Sequence, residues 1–509
     1  MSSWRAALSP AAILAALALA APRDVAAEVQ PVSPNASPEV RAVLQMLHDL
    51  SGRYTLTGQH NFPATGSRNS AFAAKYTGRT PAIFASDFGF AQAGDTDSYL
   101  ARPEIVQEAI RQWRRGVLVD LCWHAVPPTA DEPVTFRPLP GSDPGRLASV
   151  QGRLTDAQFR DLLTPGTPLY QHWCAQVDAI AVFLRQLQDA QVPVLWRPYH
   201  EMNGDWFWWG GRPGPNGTAA LYRQLFDRFE HVHHLNNLIW IWSMDRVHDP
   251  QMEHAKYFPG IDYVDVLALD VYHNDFAPSY YDSLVALSQG KPLALDEVGS
   301  PPTPEILDQQ PRWVWYGIWT GMVRNTPRKQ FAALGRDPRI LHLEDPAYWR
   351  AMAPVRAAAG LPPLQFTPAP ADFSGSWVLD QDKSALGTMG AAFAPARLEV
   401  LQQGNDLSIR TTRIVEYADN QVTEEKLTLD GAESKSEFMN SPRVTTARLT
   451  AGGQELRLDS TILPVWAPGS KMTVQDSWTL SEGGDVLTIQ RATASSMGSQ
   501  KLMLVFDRR

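Results

Sequence analysis

The run VLWRPYHEMNGDWFWW, residues 194–209, decides how the chain is to be read. Aliphatic and β-branched side chains climb to Trp196, the pattern of a strand buried on both faces. The run then changes character at Arg197, Tyr199, His200 and Glu201. It closes on four consecutive aromatic residues, Trp206, Phe207, Trp208 and Trp209. A buried strand ending in ionisable groups presents them at its carboxyl end, which is the site-bearing rim of a barrel of parallel strands.

Working outward, eight apolar segments suit strands: RYTLTGQ (53–59), PAIFASDFG (81–89), GVLVDLCWH (116–124), PVLWRPYHE (193–201), LIWIWSMD (238–245), VDVLALDVY (264–272), KPLALDEVG (291–299) and WVWYGIWTG (313–321). Amphipathic helical patterns separate most of them, such as PEIVQEAIRQWRR (103–115), CAQVDAIAVFLRQLQDA (174–190) and TAALYRQLFDRFEHVH (218–233). This alternation predicts an α/β fold, a (β/α)8 TIM barrel over residues 28–360. The Pro-, Gly- and Asp-rich stretch 127–168 reads as a long rim loop.

The texture changes after LPPLQFTPAPA (361–371), which suits a semi-rigid linker. Beyond it, VLQQGNDLSIRTT, RLTAGGQELRLDS and TLSEGGDVLTIQR repeat a strand, a Gly-containing turn and a strand. Residues 372–509 therefore read as a smaller antiparallel all-β domain, barrel or sandwich.

A net charge of −9 argues against nucleic acid, which needs a basic footprint. Arg5, the apolar stretch Ala11–Ala21 and the small residues Val25, Ala26 and Ala27 predict a signal peptide over 1–27, cleaved near Ala27. That implies export to the periplasm or the medium. No other apolar run has membrane length, so no membrane partner is expected, and the expected state is a monomer. Cys122 shares strand parity with the inward-facing Asp120 and His124, whereas Cys174 lies on an outer helix. Two separate buried thiols are expected rather than a disulfide.

The chemistry centres on two carboxylates, Glu201 and Glu297, each closing an apolar strand. Paired carboxylates are the minimum equipment for glycoside hydrolysis: at about 5–5.5 Å one attacks the anomeric carbon, and at about 6.5–9.5 Å a water fits between them. Glu201 reads as the proton donor, kept protonated by burial under Trp206 and Trp208 and by a nearby Glu297. Glu297 reads as the nucleophile, held ionised by hydrogen bonds from Tyr272 or Arg197. Strand alternation turns the adjacent Asp296 to the opposite face.

Other polar residues fall in behind this pair. His124 and His200, at strand ends, suit sugar hydroxyls. Asp270 and Tyr272 share a face of the sixth strand and belong in the site, while Asp87 and Asp245 are divided between site and structural hydrogen bonding. Four consecutive aromatics cannot all be hidden by a period of two or of 3.6, so at least one is expected to stack on a sugar. Trp319 could floor the site, whereas Trp313 and Trp315 read as core, as do Trp377 and Trp466 in the β domain. His231, His233 and His234 offer no i, i+4 pair and read as a solvated face. No metal and no cofactor is called for.

The motif WRPYHEMNGDWFWWG, followed in order by LDVY, LDEVG and YGIWTG and preceded by VDLCWH, resembles glycoside hydrolase family 26, whose best-known members are endo-β-1,4-mannanases. The resemblance covers residues 30–350. It implies a retaining double displacement in a (β/α)8 barrel acting on β-mannan or a related neutral β-glycan. By motif, Glu201 matches the acid/base, Glu297 the nucleophile and His200 the histidine beside the acid/base. His124, Trp206, Tyr272 and Trp319 match positions lining the cleaved sugar's subsite, with Asp270 a looser match. The family also contains β-1,3-1,4-glucanases and β-1,3-xylanases, separated from mannanases by loop geometry around the −1 and −2 sugars. A carbohydrate-binding protein that has lost activity is the alternative of a different class, and the presence of both carboxylates opposes it. The opening of the β domain, FSGSWVLDQDKSALG, is similar to small secreted lipocalin-like domains and carries no implied function.

Overall fold

The computed structural model describes residues 29–143, 145–364, 370–387, 394–415, 419–450, 452–481, 484–496 and 498–509. The expected signal peptide and positions 365–369 of the expected linker lie outside the described residues.

Eight parallel strands form the first sheet: β1 (Thr55–Asn61), β2 (Ile83–Asp87), β3 (Leu118–Trp123), β4 (Val194–Pro198), β5 (Leu238–Asp245), β6 (Val266–Val271), β7 (Leu293–Val298) and β8 (Trp313–Ile318). β8 pairs with β1 and β1 with β2, so the sheet closes into the expected barrel. A two-residue strand, β9 (Ile340–Leu341), adds to β1 from outside the eight. All residues of β1 to β8 are buried, as strands covered on both faces must be.

The helices follow from local signals. Pro38–Leu50 is capped by Ser37, whose side chain accepts from the Val40 amide. The long helix Pro168–Asp189 begins at Thr167, with Pro168 in the first turn, and buries Trp173, Val177, Ile180, Leu184 and Leu187 along one stripe. The rim insertion is more than loop. It contains a helix, Asp156–Leu162, opened by a Thr155/Gln158 capping box. The helix Thr218–His231 stops short of the expected end; His233 lies beyond it, where its Nε2 meets Asp178 Oδ1 at 2.6 Å. The solvated-face reading therefore fails for His233, because its partner comes from another helix. Cys122 and Cys174 are both buried free thiols, as expected.

The C-terminal residues form one ten-stranded antiparallel sheet: β10 (Gly375–Leu379), β11 (Arg397–Gln403), β12 (Asp406–Arg413), β13 (Gln421–Thr428), β14 (Ser434–Phe438), β15 (Ser441–Leu449), β16 (Glu455–Ile462), β17 (Met472–Leu480), β18 (Val486–Ser495) and β19 (Gly498–Arg508). Its order, β13-β12-β11-β10-β19-β18-β17-β16-β15-β14, makes a nearly closed barrel rather than a sandwich. The three repeated sequence units are the hairpins β11–β12, β15–β16 and β17–β18. Across the seam, Glu425 accepts from Ser436, Thr445 and Arg443, so one carboxylate ties β13 to β14 and β15. Trp377 is core, but Trp466 is 52% exposed, because it sits on the connection between β16 and β17 and not on a strand face.

Candidate active site

β4 ends at Pro198, earlier than the apolar run suggests. Tyr199 and Glu201 then take φ values of 50° and 53°. Non-glycine residues rarely sit there, and such strain persists only where surroundings over-determine it. Here the Glu201 amide donates to the Ser243 carbonyl of β5 at 3.0 Å, and the Trp209 indole donates to the His200 carbonyl at 2.9 Å. Asn203 adds a two-way bond to the Asp245 backbone. The left-handed turn, not strand alternation, aims Glu201.

Trp206 folds back so that its indole N–H donates to Glu201 Oε2 at 2.8 Å. A Cβ on Gly204 would lie 2.2 Å from the Trp206 ring, so this position must be glycine for the ring to reach the carboxyl. Trp208 does not cover Glu201; it is fully buried and bonded to the Ala125 carbonyl. Phe207 and Trp209 are buried as well, and only Trp206 of the four aromatics is partly exposed. The rim insertion hides them: Trp208 N–H donates to Val150 O, and Gly152 N–H to Trp206 O.

Arg197, 1% exposed, is the electrostatic hub. Nη2 donates to Glu297 Oε1 at 2.6 Å, Nη1 to Asp270 Oδ2 at 3.1 Å, and Nε lies 3.2 Å from Asp296 Oδ2. The other Glu297 oxygen accepts from the Tyr272 hydroxyl at 2.6 Å. Both expected partners of Glu297 are thus in place. Asp296, however, is not turned away. The register between β6 and β7 jumps from Leu269↔Leu295 to Asp270↔Glu297, an extra residue that leaves consecutive Asp296 and Glu297 both against Arg197.

Glu201, Asp270 and Glu297 offer oxygens within 4.8 Å of one another. Burial pushes the Glu201 carboxyl well above its ordinary value, helped by the charges of Glu297 and Asp245 and opposed by the Trp206 bond. Burial and the Glu297 charge likewise raise the Tyr272 hydroxyl.

His124 and His200 meet ring to ring at 4.5 Å. Asp87 accepts from His124 Nδ1–H, from the Cys122 thiol at 2.9 Å and from the Gly89 amide at 2.6 Å. Burial opposes charge on His124, but Asp87 outweighs it and raises the ring's pKa; His200 is lowered by burial and by His124 and Arg197. Asp87 therefore orients His124 from behind. Asp245 pairs with His248 at 3.2 Å. A cation at either acidic cluster would compete with existing partners: the hydrogen bonds among Asp87, Cys122 and His124, or the Arg197 guanidinium.

Trp319 is at the site, 6.3 Å from the His124 ring, and stacks at 3.9 Å on His60. The run 53–59 stops at Gln59, one residue short of His60, whereas the strand continues to Asn61. Burial pushes His60 down to about 3, so its ring is neutral. Phe136, on the rim insertion and 40% exposed, rests against Phe90, His124 and Phe207 at 6.0–6.4 Å. Apart from its aromatic character, nothing in the local sequence marked it.

Residues 32–336 match the profile of Glycosyl hydrolase family 26. The chain belongs to this family. It is 32% identical over 295 residues to a mannan endo-1,4-β-mannosidase of Thermothelomyces thermophilus, covering 56% of each chain. It is 30% identical over 303 residues to one of Bacillus subtilis, covering 56% of this chain and 78% of the other. The solved structure of GH26A from Muricauda sp. aligns at 38% identity with a TM-score of 0.56, over 61% of this chain and 98% of that one. This chain spans about half the length of the first curated relatives, 56% and 47%.

Proposed function

We propose that this family 26 member is a secreted, endo-acting, retaining β-mannanase that hydrolyses β-1,4 linkages in mannan, glucomannan or galactomannan. One observation carries the retaining mechanism: the oxygens of Glu201 and Glu297 approach within 4.8 Å. That suits direct attack, for which carboxyl groups stand about 5–5.5 Å apart, rather than inversion, for which they stand about 6.5–9.5 Å apart. Mannan as substrate rests on the relatives.

Glu297 attacks the anomeric carbon, oriented by its hydrogen bonds from Arg197 and Tyr272. Glu201, protonated because it is buried beside another carboxylate, gives its proton to the leaving oxygen. Once Glu297 is esterified, burial still raises Glu201 but the Glu297 charge that added to it is gone, and Glu201 takes the proton from the incoming water. His124, His200, Trp206, Trp319 and Phe136 line the sugar-binding surface around this pair.

Reducing-sugar release from galactomannan, mixed-linkage β-glucan and β-1,3-xylan should favour galactomannan, with the first product keeping the β configuration by NMR. Glu297→Gln should lower turnover by about 10³-fold or more. Retention of more than a few per cent would end its role as nucleophile. Glu201→Ala should recover its first step on substrates with good leaving groups.

A further inference from the structure

Four carboxyl groups crowd below the reaction centre with one guanidinium among them. Asp270, Asp296 and Glu297 each face a different nitrogen of Arg197. The fourth, Asp120 on β3, is 3% exposed and hydrogen-bonds Asp296. Two carboxylates cannot bond one another without a proton between them. The remaining contacts say where it resides. Asp296 has an acceptor's surroundings, with the Trp315 indole donating to Oδ1 at 2.7 Å and Arg197 Nε 3.2 Å from Oδ2. Asp120 Oδ1 and Asp296 Oδ2 are both buried without a hydrogen-bond donor, so the Trp315 bond and the Arg197 ion pair are what mark Asp296 as the ionised partner. Fully ionised, the group would bury four negative charges against one positive charge, which a dry interior does not sustain.

We propose that Asp120 is a positioning residue for the nucleophile, a permanently neutral carboxylic acid that donates to Asp296 and so fixes the Arg197 fork that holds Glu297. With the Asp120 proton in place, Asp296 stays an ionised neighbour of Nε, an ion pair and not a hydrogen bond, while Nη2 stays on Glu297. Without a donor, Asp296 must either pull harder on the guanidinium or take up the proton and release it. Burial and the charge of Asp296 both act to keep Asp120 neutral.

The catalytic consequence rests on the role proposed for Glu297, but the proton can be tested without substrate. Infrared spectra of the full chain at neutral pH should show a protonated-carboxyl carbonyl stretch that is missing from Asp120→Asn. If the difference spectrum instead shows loss of a carboxylate band, Asp120 is ionised and the proposal is wrong. On galactomannan, Asp120→Asn keeps a neutral donor and should keep kcat within about threefold, whereas Asp120→Ala should lose about tenfold to a hundredfold in kcat with KM little changed. Equal damage from both folded variants would overturn the donor role. If Asp120→Ala does not fold, a tenfold loss of kcat in folded Asp120→Asn would overturn it alone. A wild-type protein inactive on every β-glycan would sink the function proposed above and leave the infrared result to decide the proton.

Discussion

In the parallel barrel, Arg197 faces three carboxylates and a fourth stands behind them. In the antiparallel barrel, Arg491 meets Asp476 through two bonds of 2.7 Å, and the two residues are direct cross-strand partners. Arg443 of β15 meets Glu425 of β13 through one bond of 2.7 Å. One barrel buries an excess of acid; the other gives each of its buried acids, Asp476 and Glu425, an arginine and adds a third, Arg413, which burial and the neighbouring Arg491 and Arg443 charges push down to about 10. Matched pairs serve closure of a sheet. An unmatched set perturbs its own protonation, which acid–base chemistry needs and a structural core avoids.

The contrast can be broken most severely at Arg197. Arg197→Met should abolish hydrolysis and lower unfolding free energy by about 3–5 kcal/mol in urea titration, since it strands buried carboxylates. In the other barrel, Arg491→Met alone should cost about 1–3 kcal/mol, and Arg491→Met with Asp476→Leu should restore most of it. If the double variant is no better than the single, the pair is not self-contained.

Gly204→Ala tests geometry within the active barrel. The added Cβ should push Trp206 off Glu201 and lower kcat by about tenfold while leaving the urea midpoint nearly unchanged. Wild-type kcat would mean that the Trp206 bond is idle.

Asp87→Asn tests a matched pair inside the unmatched barrel. Burial pushes Asp87 up, but the His124 charge and the hydrogen bonds from His124, Cys122 and Gly89 together outweigh it and lower Asp87, whose contribution is present above its ordinary 3.8 and is lost as pH falls through the folded value. Asp87 likewise outweighs burial and raises His124, whose contribution is full below its ordinary 6.5 and is lost as pH rises through the folded value. The stability gap between wild type and Asp87→Asn should therefore be widest between 3.8 and 6.5 and shrink on both sides. A gap independent of pH would show that no ion pair forms. The smallest effect belongs to the exposed Trp466: its replacement by Ala should move stability by less than about 0.5 kcal/mol, whereas Trp377→Ala should cost about 3–5 kcal/mol.

Much of this was legible in the linear chain. Most of the eight strands lie where apolar runs close on polar residues, Gln59, Asp87, His124, Glu201, Asp245, Asp270 and Glu297, and Arg197, His200, Tyr272 and Trp319 gather with them. His60 was lost to a single residue of strand length. Asp296 departs from alternation because alternation holds only while neighbouring strands keep register, and β7 does not.

The sequence by itself determined which segments are strands and which carboxyls stand at their ends, because side-chain alternation and apolar runs are local properties of backbone geometry. Only the tertiary structure decided that Asp296 turns inward, that Glu201 is aimed by a left-handed turn, and that three of four adjacent aromatics are buried. Each depends on a partner distant in sequence: the register of β6 against β7, the Ser243 carbonyl, and the rim insertion around Val150. No window along the chain contains those contacts.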